Sequence, residues 1–321
     1  MKGESKLERI AVLIPCYNEE KTVGSVIDEF RAQLPGAIIY VCDNCSTDAT
    51  AEVARSRGAV VLREDRPGKG FAVRRLFRTV SADAYLLVDG DCTYPASRAW
   101  DMLQPVLSGQ ADMTVGDRLS GGEYAQENKR PLHNSGNKLV RLLVNRLFGA
   151  RLCDIMSGYR AFSRRFVMTM PVMSPGFELE SEMTLHALDK RLTIVEIPVE
   201  YRDRPEGSIS KLNTLRDGFR VVRTIITVFR DYKPLLFFSL LSIMFLAVGL
   251  ALGIPVIVDY ARTLFVSKVP SAVLAVGLVI TALLLFCCGL VLDTIGRNNR
   301  KQFELFYILL GENTERRPNQ P

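Results

Sequence analysis

Ala84-Tyr85-Leu86-Leu87-Val88-Asp89-Gly90-Asp91 is an apolar run that ends abruptly in two carboxylates separated by one glycine. Alternate residues of an extended chain point the same way, so Asp89 and Asp91 can converge at the strand's exit, and Gly90 lets the backbone turn there. Two hard oxygen donors suit Mg²⁺ or Mn²⁺, which take one or two carboxylates and leave the other positions to water and substrate phosphates. The competing reading is a surface turn, because Asp-Gly-Asp is ordinary turn chemistry. The flanking sequence decides between them.

Upstream, Ile10 to Ile14 is a short apolar strand that runs into Pro15-Cys16-Tyr17-Asn18-Glu19-Glu20. Asn18 is suited to cap the next helix, whose apolar residues Val23, Val26, Ile27 and Phe30 keep helical spacing. A second strand, Ile38 to Cys42, exits at Asp43 and meets Ser46-Thr47-Asp48, a cap before a helix reaching Arg57. A third, Val60 to Leu62, leads through Pro67-Gly68-Lys69-Gly70 into a helix and then to the Asp89 strand. Strands alternating with helices predict a parallel α/β sheet, where ligands collect at the carboxyl ends of the strands. Asn18, Asp43 and Asp89 all fall at such ends. Gly68-Lys69-Gly70 is too short for a Walker A loop, but a glycine turn opening a helix can present NH groups and a lysine to a nucleotide.

Downstream, Met113 to Asp117 reads as a strand, Ser120 to Arg130 as a mobile loop and Leu132 to Phe148 as a helix. Cys153-Asp154-Ile155-Met156-Ser157-Gly158-Tyr159-Arg160 gathers a carboxylate, a hydroxyl, a glycine and a guanidinium. Gly176 to Glu182 opens a helix with three acids, of which Glu178 and Glu182 are expected to serve the helix dipole. The strand Leu192 to Tyr201 then delivers Arg204-Pro205-Glu206-Gly207-Ser208-Ile209-Ser210-Lys211, rich in anion-binding groups.

At 321 residues and 48% hydrophobic content, the chain can bury one substantial core with material left over. The surplus lies at Leu235 to Val258 and Val269 to Leu292, uncharged runs of roughly 24 residues that exceed the ~20 a helix needs to cross a bilayer. A polar break, Asp259 to Lys268, separates them. Arg216, Arg220, Arg223, Arg230 and Lys233 precede the first run, and Arg297, Arg300 and Lys301 follow the second. The hairpin between holds only Arg262 and Lys268, so both termini are expected on the cytoplasmic side of the plasma (inner) membrane. The polar start, Met1 to Arg9, does not read as a signal peptide.

The formal charge of +6 sits largely in these flanks, which favours anionic lipid and phosphate over nucleic acid. No nucleic-acid module is recognisable. Leu215, Phe219, Val222, Ile226 and Phe229 share one helical face with arginines beside it, the pattern of a helix in the membrane interface; packing against the soluble domain would give the same periodicity. Phe303, Phe306, Tyr307 and Leu310 form a similar stripe. The seven cysteines fit a reducing compartment, and Cys42 and Cys45 have no second pair at zinc spacing.

Pro15 to Glu19, Asp43, Asp89-Gly90-Asp91, Ser157-Gly158-Tyr159-Arg160 and the Arg204 to Lys211 turn together resemble the family 2 glycosyltransferases of GT-A fold. The turn is similar to the Arg-x-x-Gly-x-Ser-Lys turn of membrane-bound members that load sugars onto polyprenyl phosphates. Here Ser208 and Ile209 stand between Gly207 and Ser210, where that turn has a single residue. The resemblance covers Ile10 to Lys211, and the two-span tail looks like that of polyprenyl-phosphate sugar transferases.

It implies a GT-A domain over 1–211, an interfacial amphipathic helix over 212–233, a transmembrane hairpin over 234–293 and a cytoplasmic amphipathic helix and tail over 294–321. Pro15, Tyr17, Asn18, Glu19, Asp43 and Lys69 would hold the nucleotide of a UDP- or GDP-sugar. Asp89 and Asp91 would hold the Mg²⁺ or Mn²⁺ diphosphate. Arg118, Arg160, Arg204 and Lys211, with Arg130 a weaker match, would face the phosphate of a polyprenyl acceptor among membrane lipids. Where mannose-transferring relatives carry a glutamine, this chain has Thr93. The resemblance implies inversion at the anomeric carbon and allows a homo-oligomer.

Two other readings compete. A processive polysaccharide synthase would need a Gln-x-x-Arg-Trp segment and more spans, whereas the single tryptophan, Trp100, follows Ser97-Arg98-Ala99. A membrane-anchored nucleotide-sugar sensor would bind without turnover, and the retained Asp89, Asp91 and Arg160 argue against it.

Overall fold

The computed structural model describes residues 9–120, 131–176, 178–202, 226–266 and 268–315. The chain divides into two compact units. One comprises Met1–Asp217 with Tyr307–Pro321, and the other comprises Gly218–Phe306.

The first unit is built on a seven-stranded sheet of β1 (Ile10–Cys16), β2 (Ile38–Asp43), β3 (Val60–Arg63), β4 (Ala84–Leu87), β5 (Met113–Asp117), β6 (Arg160–Ser163) and β7 (Ile194–Pro198). The spatial order is β3-β2-β1-β4-β6-β5-β7. β1 pairs in parallel with β2 and β4, bringing Cys16 opposite Asp43 and Leu13 opposite Leu87. The parallel pairing expected from the alternation of strands and helices holds from β1 to β4, while β6 runs antiparallel to both β4 and β5. β6 is four residues long and begins with Arg160, so it carries no apolar run to announce itself.

The helices cover the sheet where their periodicity says they should. α1 (Val23–Gln33) buries Val23, Val26, Ile27 and Phe30, each burial contributing about 1.5–3 kcal/mol. These join Val12, Ile14, Leu86 and Val88 of the central strands in one apolar cluster. Next come α2 (Thr50–Ser56), α3 (Lys69–Thr79), α4 (Ala99–Leu107), α5 (Pro131–Phe148), α6 (Arg164–Thr169) and α7 (Leu179–Asp189). The expected loop Ser120 to Arg130 lies almost wholly outside the described residues.

The second unit contains α8 (Pro234–Thr263) and most of α9 (Val269–Glu315). Both are long and apolar enough to cross a membrane. They pack through small residues: Ser242 Oγ donates to the Ala282 carbonyl at 2.7 Å. A Cβ on Gly249 would lie 3.1 Å from Val279 Cγ2. Such close backbone approach is how apolar helices associate where lipid offers no hydrophobic drive.

The expected break at 259–268 is shorter, because α8 continues to Thr263 and ends on Leu264 in the left-handed region. The segment after Leu292 is helical and continuous with the second apolar run, since α9 runs unbroken past Leu292. No proline interrupts it there, and Arg297 pairs with Asp293 one turn back at 3.0 Å. Of the expected interfacial stripe, Leu215, Phe219 and Val222 lie outside the described residues. Ile226 is exposed, while the Phe229 ring meets Phe237 edge to face at 5.6 Å.

Tyr307 behaves differently from the expected membrane stripe. Its hydroxyl donates to the Asp112 carboxylate, and the Arg165 guanidinium lies over its ring at 5.3 Å.

Candidate active site

The site forms where β1, β2 and β4 end. Pro15 is buried within β1, opposite Cys42. Tyr17 beyond it is exposed. Asn18 has φ 55° and does not cap α1 as expected, because its Oδ1 instead accepts from the Thr47 amide at 2.8 Å. Its own amide donates to Ser46 Oγ at 3.0 Å, so Asn18 ties the exit of β1 to that of β2. The Glu19 amide donates to Thr50 Oγ1 at 2.8 Å, and its carboxylate accepts from Thr22 Oγ1 at 2.9 Å. Asp43 is buried at the end of β2 and accepts from the Ser46 amide at 3.1 Å.

Asn44, the next residue, is a positioning group that the sequence did not flag. Its Nδ2 donates to the Arg66 carbonyl at 2.7 Å, and its Oδ1 accepts from the Gly68 amide at 2.7 Å. The exit of β2 is thereby fastened to the glycine turn that opens α3. That turn tolerates no side chain: a Cβ on Gly70 would lie 1.7 Å from the Ser174 carbonyl oxygen, and Gly68 has φ 139°. The Gly70 amide donates to the Pro175 carbonyl at 3.1 Å. Glu182, expected only to complement a dipole, accepts from the Met173 and Ser174 amides at 3.0 and 2.9 Å and so braces this segment.

Clamping the turn directs Lys69 into the site. Its ammonium lies 2.5 Å from Asp89 Oδ1 and 2.7 Å from Glu180 Oε1. Burial works against the ammonium, but the two carboxylates outweigh it and hold the Lys69 pKa above the ordinary lysine value. Asp91 is 5% exposed and oriented by Thr93, whose Oγ1 donates to its Oδ1 at 2.6 Å. Gly158 lies against Asp89, and its amide donates to the Tyr94 hydroxyl at 3.0 Å.

The arginines divide. Arg118 is 12% exposed in its side chain and forms a forked pair with Asp154, Nε to Oδ2 at 2.7 Å and Nη2 to Oδ1 at 3.1 Å. Arg160 is corrected. It is 0% exposed, and its guanidinium donates to the Ser157 carbonyl at 2.8 Å, the Ile155 carbonyl at 2.9 Å and Thr184 Oγ1 at 2.9 Å. Its donors serve the backbone of the 155–157 segment, so it does not face a lipid phosphate. Burial lowers its pKa to about 10. Arg130, Arg204 and Lys211 lie outside the described residues.

Among the described residues no group of three or more His, Cys, Asp or Glu side chains is arranged to hold a metal. Two carboxylates remain, Asp89 and Asp91, and one already accepts a cationic group. Hard anionic oxygens in that number fit Mg²⁺ or Mn²⁺ completed by diphosphate and water.

A mixed sheet with carboxylates at the exits of its parallel strands is the frame of a GT-A-like nucleotide-sugar transferase, and comparison with known proteins agrees. The model for glycosyl transferase family 2 matches residues 11–170. A glycosyltransferase of Haloferax volcanii, AglJ, is 31% identical over 298 residues, covering 92% of this chain and 97% of that protein. The chain belongs to glycosyl transferase family 2, and it is an enzyme of that class.

The dolichyl-phosphate hexose transferase of the same organism is 28% identical, covering 70% of this chain and 96% of its own. The undecaprenyl-phosphate mannosyltransferase of Micrococcus luteus is 26% identical, covering 62% and 86%. Among solved structures, glucosyl-3-phosphoglycerate synthase of Mycobacterium tuberculosis with Mn²⁺ and UDP-glucose superposes with a TM-score of 0.52. It is 25% identical, covering 70% of this chain and 79% of that one.

Proposed function

We infer that this glycosyltransferase moves a hexose from a nucleotide-diphosphate sugar to a polyprenyl phosphate at the cytoplasmic face of the membrane. The product is a lipid-linked monosaccharide for envelope glycan or glycoconjugate synthesis. The observation that carries this reading is the placement of Asp89, paired with Lys69, and Asp91, held by Thr93, at the exit of the central strand β4. Two bilayer-length helices and relatives named for dolichyl- and undecaprenyl-phosphate support the acceptor.

Pro15, Tyr17, Asn18, Glu19 and Asp43 line the exits of β1 and β2 and receive the nucleoside. Asp89 and Asp91 would hold Mg²⁺ or Mn²⁺, which supplies charge neutralisation as the nucleoside diphosphate departs. Lys69 adds a further positive charge beside that diphosphate. A lipid monophosphate has a second pKa near ~6, by analogy with phosphorylated side chains, so it attacks as a dianion at neutral pH without a dedicated base. Arg118, with Arg204 and Lys211 of the basic turn, aligns that phosphate and offsets its repulsion from the donor. In-line attack gives inversion.

The test is incubation of the full chain in detergent with a panel of labelled UDP- and GDP-sugars and undecaprenyl phosphate. Label should pass into the organic phase as one monosaccharide ester for one donor. Failure with every donor, or transfer only to water, contradicts the reading.

A further inference from the structure

Lys69 bridges two carboxylates with different surroundings. Glu180, in the first turn of α7, has a side chain only 6% exposed, whereas that of Asp89 is 26% exposed. Glu180 is fixed on a helix whose Thr184 Oγ1 returns a hydrogen bond to the Glu180 carbonyl at 3.0 Å. A buried carboxylate needs its counter-charge whether or not substrate is present. Asp89 does not, because a divalent cation can replace the ammonium there.

A divalent cation on Asp89 and the Lys69 ammonium would draw on the negative charge of one carboxylate. Lys69 Nζ already sits 2.5 Å from Oδ1. A lysine head on a flexible four-carbon stem can trade one anionic oxygen for another without backbone movement. Here the backbone is held still, since Gly68 and Gly70 are packed against Pro175 and Ser174.

Resting on the reading that Asp89 and Asp91 hold a metal diphosphate, we propose that Lys69 is a built-in counter-ion for Asp89 that transfers to the diphosphate when donor arrives. Glu180 is the anchor it keeps throughout and is therefore a positioning residue. The consequence is binding synergy. Free metal must displace the ammonium from Asp89 and leave it with Glu180 alone of these two carboxylates, whereas metal arriving with a diphosphate brings a second anionic partner with it.

Mn²⁺ binding, read by electron paramagnetic resonance on the full chain in detergent with and without UDP, tests this. UDP should tighten Mn²⁺ binding to the wild type by about 10-fold or more, a coupling of ordinary size. The double variant Lys69→Met/Glu180→Gln removes one charge of each sign and leaves the net charge of the site unchanged. It should bind Mn²⁺ alone about 10-fold tighter than the wild type, with the UDP effect correspondingly reduced. Lys69→Gln, which can still donate to Glu180, carries the same expectation should the double variant not fold. Mn²⁺ affinity within two-fold of wild type, without UDP, overturns the proposal. A wild type that takes up no Mn²⁺ even with UDP overturns the underlying metal reading, and this inference with it.

Discussion

Gly158 and Asp89 are in such close contact that a Cβ on the glycine would lie 2.5 Å from Asp89 Oδ2 and 3.2 Å from Lys69 Nζ. The Ser157-Gly158-Tyr159-Arg160 segment therefore acts as a wall that sets where the Asp89 carboxylate can stand. A side chain there must push Asp89 aside. Gly158→Ala is expected to lower turnover by about 100-fold, the scale of a 1 Å misplacement at a reacting centre. The melting temperature should move by only a few degrees, since the neighbour that yields is the end of a side chain. Activity and melting measured together check this, and unchanged turnover would show that Asp89 has room to spare.

Arg160 calls for the opposite outcome. Its guanidinium satisfies the carbonyls of Ser157 and Ile155 inside the protein. Arg160→Met strands the Ser157 carbonyl, at about 1–3 kcal/mol, and leaves the Ile155 carbonyl to the Thr184 hydroxyl at 3.3 Å. Denaturant unfolding should show the loss, and the residual folded enzyme should keep its KM for the lipid phosphate. A selective rise in that KM with undiminished stability would restore the direct role that the sequence suggested.

His186 gives the first unit a pH dependence of its own. Burial, then the Lys190 ammonium, lower its pKa to about 4. The unfolded chain protonates this residue near ~6.5. The unfolded state thus binds more protons between those values, and stability rises with pH across the window. It is lost as pH falls from ~6.5 towards 4, by on the order of 3 kcal/mol for this one group. His186→Leu should therefore lose less melting temperature than the wild type between pH 7 and pH 4.5. Parallel curves for the two proteins would contradict the assignment.

What the sequence disclosed and withheld follows from how each feature is encoded. β1, β2 and β4 are apolar runs that end in polar or acidic residues, and a period and an abrupt stop are visible in one dimension. β6 is not visible, because a four-residue strand starting on an arginine has neither length nor alternation. Arg160 was misassigned for a related reason: a guanidinium reads as a phosphate ligand until the carbonyls that surround it are seen. Asn44 joins segments far apart in the chain, Arg66 and Gly68 with the exit of β2, and no local pattern marks such a tie. Glu180 left a faint signal. It stands between Glu178 and Glu182, which leave the dipole well served, and shares a helical face with Thr184, which is buried.

The account stands or falls on whether the Asp89 and Asp91 pair drives transfer to lipid. The most direct measurement is organic-phase label formed from the selected nucleotide sugar and undecaprenyl phosphate, by wild type and by Asp91→Asn, in saturating Mn²⁺. An amide in place of Asp91 keeps the Thr93 hydrogen bond but not the charge a hard divalent cation wants. The wild type should form the lipid-linked sugar, lose the activity on chelation and regain it with Mn²⁺ or Mg²⁺. Asp91→Asn should fall by about 1,000-fold or more with its melting temperature intact. Turnover by Asp91→Asn close to that of the wild type would contradict the account.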